Sequence, residues 1–366
     1  MKTPLSHYFD SVLDPRVVGR CDHLLSDILV IAICTYLTGG SDYQDMHLFG
    51  KERGKELCDI LSLPNGVPSV DTFERVFKRI DSRALENCLR NYGKALLSDL
   101  SEKQVILDGK KQCGASPTSR GNSGLYLLNA WVSENRFCIG QKKVEDKSNE
   151  ITAIPELLDS IDITDSMITI DAIGTQKDIV KQIRDKEAHY LLPVKGNQQD
   201  LLDDVECAFK THMGYDCYEE LDSDHGRIET RKCSILKATD YLLPETIQAW
   251  KDVTTLVKVE STREIKDAGS KEIRYYISDE DIPDSRYYNS LVRGHWSIEN
   301  HLHWHLDVTF REDACRARME NAPENLSILR KFALQLVSAQ KDKLSMKKRI
   351  YKAALDIGYL KKIILF

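Results

Sequence analysis

The chain has 366 residues, 42% of them apolar and 30% charged, with a formal net charge of −6. Those proportions suit a globular enzyme of one or two domains and exclude a fibrous or low-complexity chain. The acidic total also excludes a uniformly basic nucleic-acid binder, though not a basic groove, because phosphate is recognised by local fields.

The longest apolar stretch, Leu24 to Leu37, is interrupted by Ser26 and Asp27 and is too short to span a bilayer. The opening "MKTPLSHYFDSVLDPR" lacks a charged head followed by an apolar run, so no signal peptide is expected. Ten cysteines are scattered without a CxxC pair. That usage fits reduced thiols, and a cytoplasmic protein is expected.

Residues 1–98 read as a helical domain. "DHLLSDILVIAICTYLTGG" is an apolar run longer than most strands, closed by a Gly-Gly stop. Prolines at 64 and 68 then mark turns before a helix opened by Ser69 or Asp71, in which Phe73, Val76, Phe77 and Ile80 recur at helical spacing. With Arg75, Lys78 and Arg79 on its other face, this segment is either a helix-turn-helix laid on DNA or part of a small bundle with a solvated basic face.

Residues 99–366 form the second domain. "QVILDGK" is a short apolar strand ending in Asp108, and "LYLLNAWVSENRFCIGQKKV" is a hairpin around the polar turn Ser133 to Arg136. A helix ("EITAIPELLDSI"), a strand ending in Asp171 ("SMITIDAIG"), another helix and the strand "AHYLLPVKGNQ" follow. This succession predicts a mixed α/β sheet with helices on its faces. From about 197 to 277 a short helix and alternating runs such as "RIETRKCSILKA" and "VTTLVKVESTRE" read as a β-rich insertion. The closing part is helical, and its tail carries a local basic patch.

The chemistry concentrates in carboxylates and histidines. A carboxylate at the end of a buried strand is costly to ionise unless it meets a cation or hydrogen-bond donors. Asp108 and Asp171, on two strands of one sheet, would make a pocket for Mg²⁺, which prefers oxygen ligands. The run "HWSIENHLHWHLDVTFRED", from His295 to Asp313, holds four histidines and four carboxylates. If it is an α-helix, Glu299 shares a face with His295 and His303 and sits at the edge of an apolar stripe of Ile298, Leu302 and Leu306. Two strand aspartates and a helical carboxylate are the metal ligands of the ribonuclease-H-like fold. His301 and His305 are also four apart and could hold Zn²⁺, but no Glu lies between them as general base and no cysteine cluster is near.

The segments "LDGKK", "ITIDAIGTQ", "YLLPVKGNQ", "HGRIETR", "RGHWSIENHLHWHLDVTFRED" and "NAPENLSILRKFAL" resemble insertion-sequence transposases of the H-repeat-associated type. The amino-terminal "LDPRVVGRCDHLLSDILVIAICTYLTGG" and "LPNGVPSVDTFERVF" resemble the helical domain that accompanies them. The likeness runs in order over nearly the whole chain. It implies a DDE transposase with a ribonuclease-H-like core, with Asp108, Asp171 and Glu299 as catalytic triad and ligands of two Mg²⁺ ions, for which Mn²⁺ would substitute. It implies as partners the element's terminal inverted repeats and target DNA, cut and joined by a protein that is a homodimer in the synaptic complex. Lys110, Lys195, Arg227, Arg231 and Arg293 are candidate DNA contacts. So are His295, His303, Arg311, Arg316 and Arg318. The Tyr-Arg-Glu-Lys pattern of better-known bacterial relatives is missing, since His295 and Leu306 stand four before and seven after Glu299. A non-catalytic DNA-binding descendant and a nuclease without strand transfer are the alternatives.

Overall fold

Four helices precede the sheet in the computed structural model, which describes residues 5–17, 19–97, 100–115, 124–144, 149–224, 227–265 and 268–365. They are α1 (Leu25–Leu37), α2 (Tyr43–Arg53), α3 (Val70–Arg79) and α4 (Ser82–Leu96). Their starts follow capping chemistry: Asp42, Ser69 and Asp81 each accept a backbone N–H of the first turn through the side chain. Helix α1 is buried from Asp27 to Leu37. The Asp27 carboxylate, itself inside, accepts the backbone N–H groups of Ser62 and Leu63 and so anchors the loop ahead of α3. Phe73, Val76 and Phe77 turn inward from α3, leaving its basic residues outside, and α3 packs against α2.

Next come β1 (Gln104–Lys111), β2 (Tyr126–Val132) and β3 (Phe137–Val144), an antiparallel meander. Helix α5 (Glu150–Ser160) leads to β4 (Met167–Ile170), and α6 (Lys177–Asp185) to β5 (His189–Val194). Strand β4 lies parallel to both β1 and β5, giving the order β3-β2-β1-β4-β5. This is the ribonuclease-H-like arrangement expected from the sequence. Val105, Ile106 and Leu107 of β1 and Ile168 and Ile170 of β4 are wholly or almost wholly buried. Apolar runs of this kind belong to strands covered on both faces.

The β-rich insertion contains α7 (Gln199–Thr211), β6 (Asp216–Asp224), β7 (Arg227–Lys237), α8 (Ala238–Tyr241), α9 (Pro244–Ala249), β8 (Thr255–Ile265) and β9 (Ala268–Ser278). It does not stand apart. Strand β9 pairs antiparallel with β5, from Leu191 opposite Ser278 to Val194 opposite Tyr275, and the insertion continues the central sheet to nine strands.

The chain closes with α10 (Ser285–His295), α11 (Ala322–Ser338), α12 (Met346–Leu355) and α13 (Ile357–Ile364). Helix α11 is buried along most of its length and joins the two halves, packing on α1, α3, α4 and β3. Phe332 meets Phe9 and Tyr92 on one side. On another, the buried Lys331 ammonium donates to the side-chain oxygens of Asn129 on β2 and Gln141 on β3. The basic tail is partly tied down, Arg349 to Asp342 and Lys361 to Asp59. Among the described residues, no helix is long and apolar enough to cross a membrane.

Candidate metal and nucleic-acid site

The strand register brings the two aspartates together. Leu107 pairs with Ile170 across the parallel β1–β4 ladder, so the next residues, Asp108 and Asp171, leave adjacent strands at the same level. Carboxyl ends of parallel strands are where α/β sheets collect ligands. Asp108 is largely buried on β1 and Asp171 is exposed just past β4. Glu150 and Tyr126 close over the backbone just after Asp108: a Cβ on Gly109 would lie 2.4 Å from both Glu150 Oε1 and the Tyr126 hydroxyl oxygen. Tyr126 donates a hydrogen bond to Glu150, whose charge is also felt at Asp108.

The run carrying Glu299 is helical, but not the continuous α-helix expected. Helix α10 ends at His295, and two π-helical turns follow, Glu299–His303 and His305–Thr309. The N–H of Trp304 reaches the carbonyl of Glu299, and that of Phe310 reaches His305 at 3.0 Å. Such wide turns concentrate at functional sites. Ile298, Leu302 and Leu306 form the buried stripe. It presses the segment onto the sheet and turns Glu299 and His303 toward Asp108.

His303 Nδ1 lies 3.4 Å from Glu299 Oε2 and 3.6 Å from Asp108 Oδ2. One potential ligand atom from each of Asp108, Glu299 and His303 falls within 4.8 Å of the other two. Asp171 stands beside this group rather than in it, although its charge acts on Asp108. Burial first, then the charges of Glu299 and Asp171, push the Asp108 carboxyl up to about 8. Glu299 moves the other way, held low by hydrogen bonding to His303. Carboxylates gathered this closely, with a buried imidazole whose Nε2 has no partner, fit a divalent cation. The imidazole widens the expected all-oxygen set, since nitrogen donors suit transition metals better than magnesium.

Next to Asp171 is a cavity of about 140 Å³ lined in part by Lys195, Arg274, His295 and Trp296. Lys195 thus shares this cavity with Asp171. His295 does not pair with Glu299 but bonds Thr169 Oγ1 through Nδ1 at 3.1 Å. Burial keeps its imidazole below the usual range. His301 and His305 face the opposite side, into a groove with Arg136 and Lys341. Burial lowers both imidazoles, and Arg136 adds to the effect. Among the described residues neither belongs to a group of three metal-ligating side chains, so the zinc alternative gains nothing.

The candidate DNA contacts divide. Lys110 is turned inward against Asp307, Glu312 and Asp313 instead of toward solvent. His303 is buried against the two carboxylates. Arg293 is held by Glu220 and Asp222, and Arg231 by Glu229. The side chain of Arg227 lies outside the described residues. Arg311, Arg316 and Arg318 line a groove of about 680 Å³ with Ser41 and Lys78, between the amino-terminal helices and the segment after the π turns. Arg318 Nε donates to the Gly114 carbonyl at 3.0 Å, while Arg311 and Arg316 are exposed. Sequence reasoning passed over Asp307, Glu312 and Asp313. Their only signal was three carboxylates in the same run as Glu299.

Residues 80–336 match the family described as Transposase DDE domain, and residues 6–93 match the DDE_Tnp_1-associated family. The chain belongs to the DDE transposases. It is 37% identical over 368 residues to "Putative transposase YncI" of Escherichia coli O157:H7, covering 98% of this chain and 94% of that one. It is 33% identical over 369 residues to "H repeat-associated putative transposase YhhI" of Escherichia coli strain K12, covering 98% and 97%. A piggyBac transposase, solved as a synaptic complex with hairpin DNA, superimposes with a TM-score of 0.43 and 12% identity over 93% of this chain and 72% of its own. The family assignment rests on the sequence matches.

Proposed function

We propose that this chain cuts the ends of a bacterial insertion sequence and joins the freed 3′ hydroxyl groups to target DNA. The observation that carries the reading is the meeting of Asp108 and Glu299 at His303, with Asp171 beside them by strand register. Asp108, Asp171 and Glu299 would hold Mg²⁺ or Mn²⁺, two ions in all, with His303 as a further donor. Bound there, such ions supply a Lewis acid for in-line phosphoryl displacement and lower the pKa of water.

The residues of the chain do the rest. The carboxylates would hold and position the cations. Lys195, which lines the cavity beside Asp171, would contact a phosphate flanking the cleaved bond. Arg311 and Arg316, exposed at the groove between the amino-terminal helices and the segment after the π turns, would meet phosphates of the DNA backbone. Residues 1–98 serve as the end-binding domain and residues 99–366 as the catalytic one. Two copies act together on paired ends in the nucleoid.

The test is incubation of the full chain with oligonucleotides carrying the element's own ends and Mg²⁺ or Mn²⁺. Wild type should nick and join. Asp108→Ala and Glu299→Ala should bind the same DNA but lose on the order of 10³-fold in rate, as expected when several kcal/mol of charge stabilisation is removed. Wild type that binds ends and neither nicks nor joins them overturns the proposal. Nicking without joining would make the protein a nuclease.

A further inference from the structure

We infer that Lys110 is an internal clamp that sets the spacing of Asp108 and Glu299, and not a DNA contact. Lys110 lies two residues beyond Asp108 on β1, and period-two alternation puts the two side chains on the same face of the sheet. Its side chain is only 9% exposed. The ammonium is 2.6 Å from Asp307 Oδ1, 3.3 Å from Glu312 Oε2 and 3.6 Å from Asp313 Oδ1.

Asp307 belongs to the second π turn, eight residues beyond Glu299. One ion pair therefore bolts the strand that carries Asp108 to the helical segment that carries Glu299. The bolt has work to do, because a cation needs the two carboxyl groups held at a fixed spacing before it arrives. His303 bridges the same two elements from the other side, and the apolar stripe under the helix supplies no directional restraint.

Glu312 completes the clamp. It is 1% exposed and feels the charges of Lys110, Arg330 and Lys331. Arg330 lies over the Tyr36 ring of α1 and reaches the Ser41 carbonyl, so the cluster is anchored in the amino-terminal helices as well. A phosphate approaching the Lys110 ammonium would have to displace three carboxylates that repel it. That geometry makes Lys110 a positioning residue.

The inference rests on the metal-dependent reading above, and its test separates the two. Full-length protein is titrated with Mn²⁺, followed by calorimetry and by the Mn²⁺ paramagnetic resonance signal. DNA binding is measured in parallel with EDTA across a salt series. The double variant Lys110→Met, Asp307→Asn removes one charge of each sign, so the field at the carboxylates changes little and altered affinity reports position. It should bind Mn²⁺ roughly 10- to 100-fold more weakly, the range seen when partners of metal ligands are lost. Its DNA affinity and salt slope should equal wild type. Should the double variant fail to fold, Asp307→Asn is compared with Asp313→Asn. Both remove one negative charge beside Lys110, but only the first breaks the short contact, so it alone should show the large loss. Unchanged Mn²⁺ affinity in the double variant, or equal losses in the two single ones, overturns the clamp. So does Lys110→Met if it weakens DNA binding and takes about one from the salt slope, the mark of a phosphate contact. A wild-type chain that binds no Mn²⁺ overturns the metal-dependent reading itself.

Discussion

Acidification from pH 8 to pH 6 should strip divalent cations from this protein, and the size of the effect follows from the Asp108 environment. Without metal, burial and the charges of Glu299 and Asp171 raise the Asp108 carboxyl to about 8. Below that pH a cation has to expel a proton before it can use the carboxylate, and above it the ligand is already ionised. Apparent affinity should fall about tenfold for each pH unit below 8, hence about 100-fold at pH 6, or about 2.7 kcal/mol. An aspartate of ordinary acidity would give a flat line over this range. Calorimetric titration with Mn²⁺ in two buffers of different ionisation enthalpy measures affinity and proton release together. Close to one proton should leave per site at pH 7. The linked stability has a definite sign. A carboxyl raised above its unfolded value favours the metal-free fold at low pH, and that contribution is lost as pH climbs from about 4 through 8. Added Mn²⁺ should therefore raise the melting temperature more at pH 8 than at pH 6. Affinity that is flat from pH 6 to 8, without proton release, would refute the electrostatic picture of the site.

Three other perturbations test the scaffold and the groove. Lys331→Met should cost about 2–4 kcal/mol in urea unfolding, because it leaves the buried oxygens of Asn129 and Gln141 without a donor; a wild-type midpoint would mean that those amides find other partners. Gly114→Ala puts a Cβ 2.3 Å from the Cys315 carbonyl oxygen and 2.4 Å from that of Asp313. Backbone atoms cannot swing aside as side chains do, so both melting temperature and DNA affinity should drop, read by calorimetry and gel shift. Arg311→Ala combined with Arg316→Ala should weaken DNA binding on every sequence and reduce the salt slope by about two; a slope equal to wild type removes the groove from the DNA path.

The central strands were legible because burial on both faces writes itself as apolar runs, as in "QVIL", "MITI" and "HYLLPV". The two strand-end aspartates were legible for the same reason, as the first polar residue after each run. Strand β6 was missed: "DCYEELDSD" is acidic and stands at the outer edge of the sheet, where no hydrophobic pattern is demanded. Nor could the insertion be seen to extend the central sheet, since the β5–β9 pairing joins residues more than eighty positions apart and leaves no local trace. The π winding was invisible because the apolar stripe of Ile298, Leu302 and Leu306 suits α and π turns alike. The inward turn of Lys110 depends on partners about 200 residues away. A lysine after "DG" looks the same in sequence whether it meets a phosphate or three carboxylates.

The paired π turns give the chain slack in length at one place. A π turn holds one more residue than an α turn, so the segment from Glu299 to Thr309 is in effect an α-helix with insertions kept in it. Deleting one residue inside the first turn would let that turn relax to ordinary winding and so absorb the loss. In a regular α-helix the same deletion would rotate everything beyond it by about 100°. Here Asp307 would keep close to the phase that sets it against Lys110. The extra residues are thus a reserve of length, held beside the carboxylates and released without turning the rest of the helix.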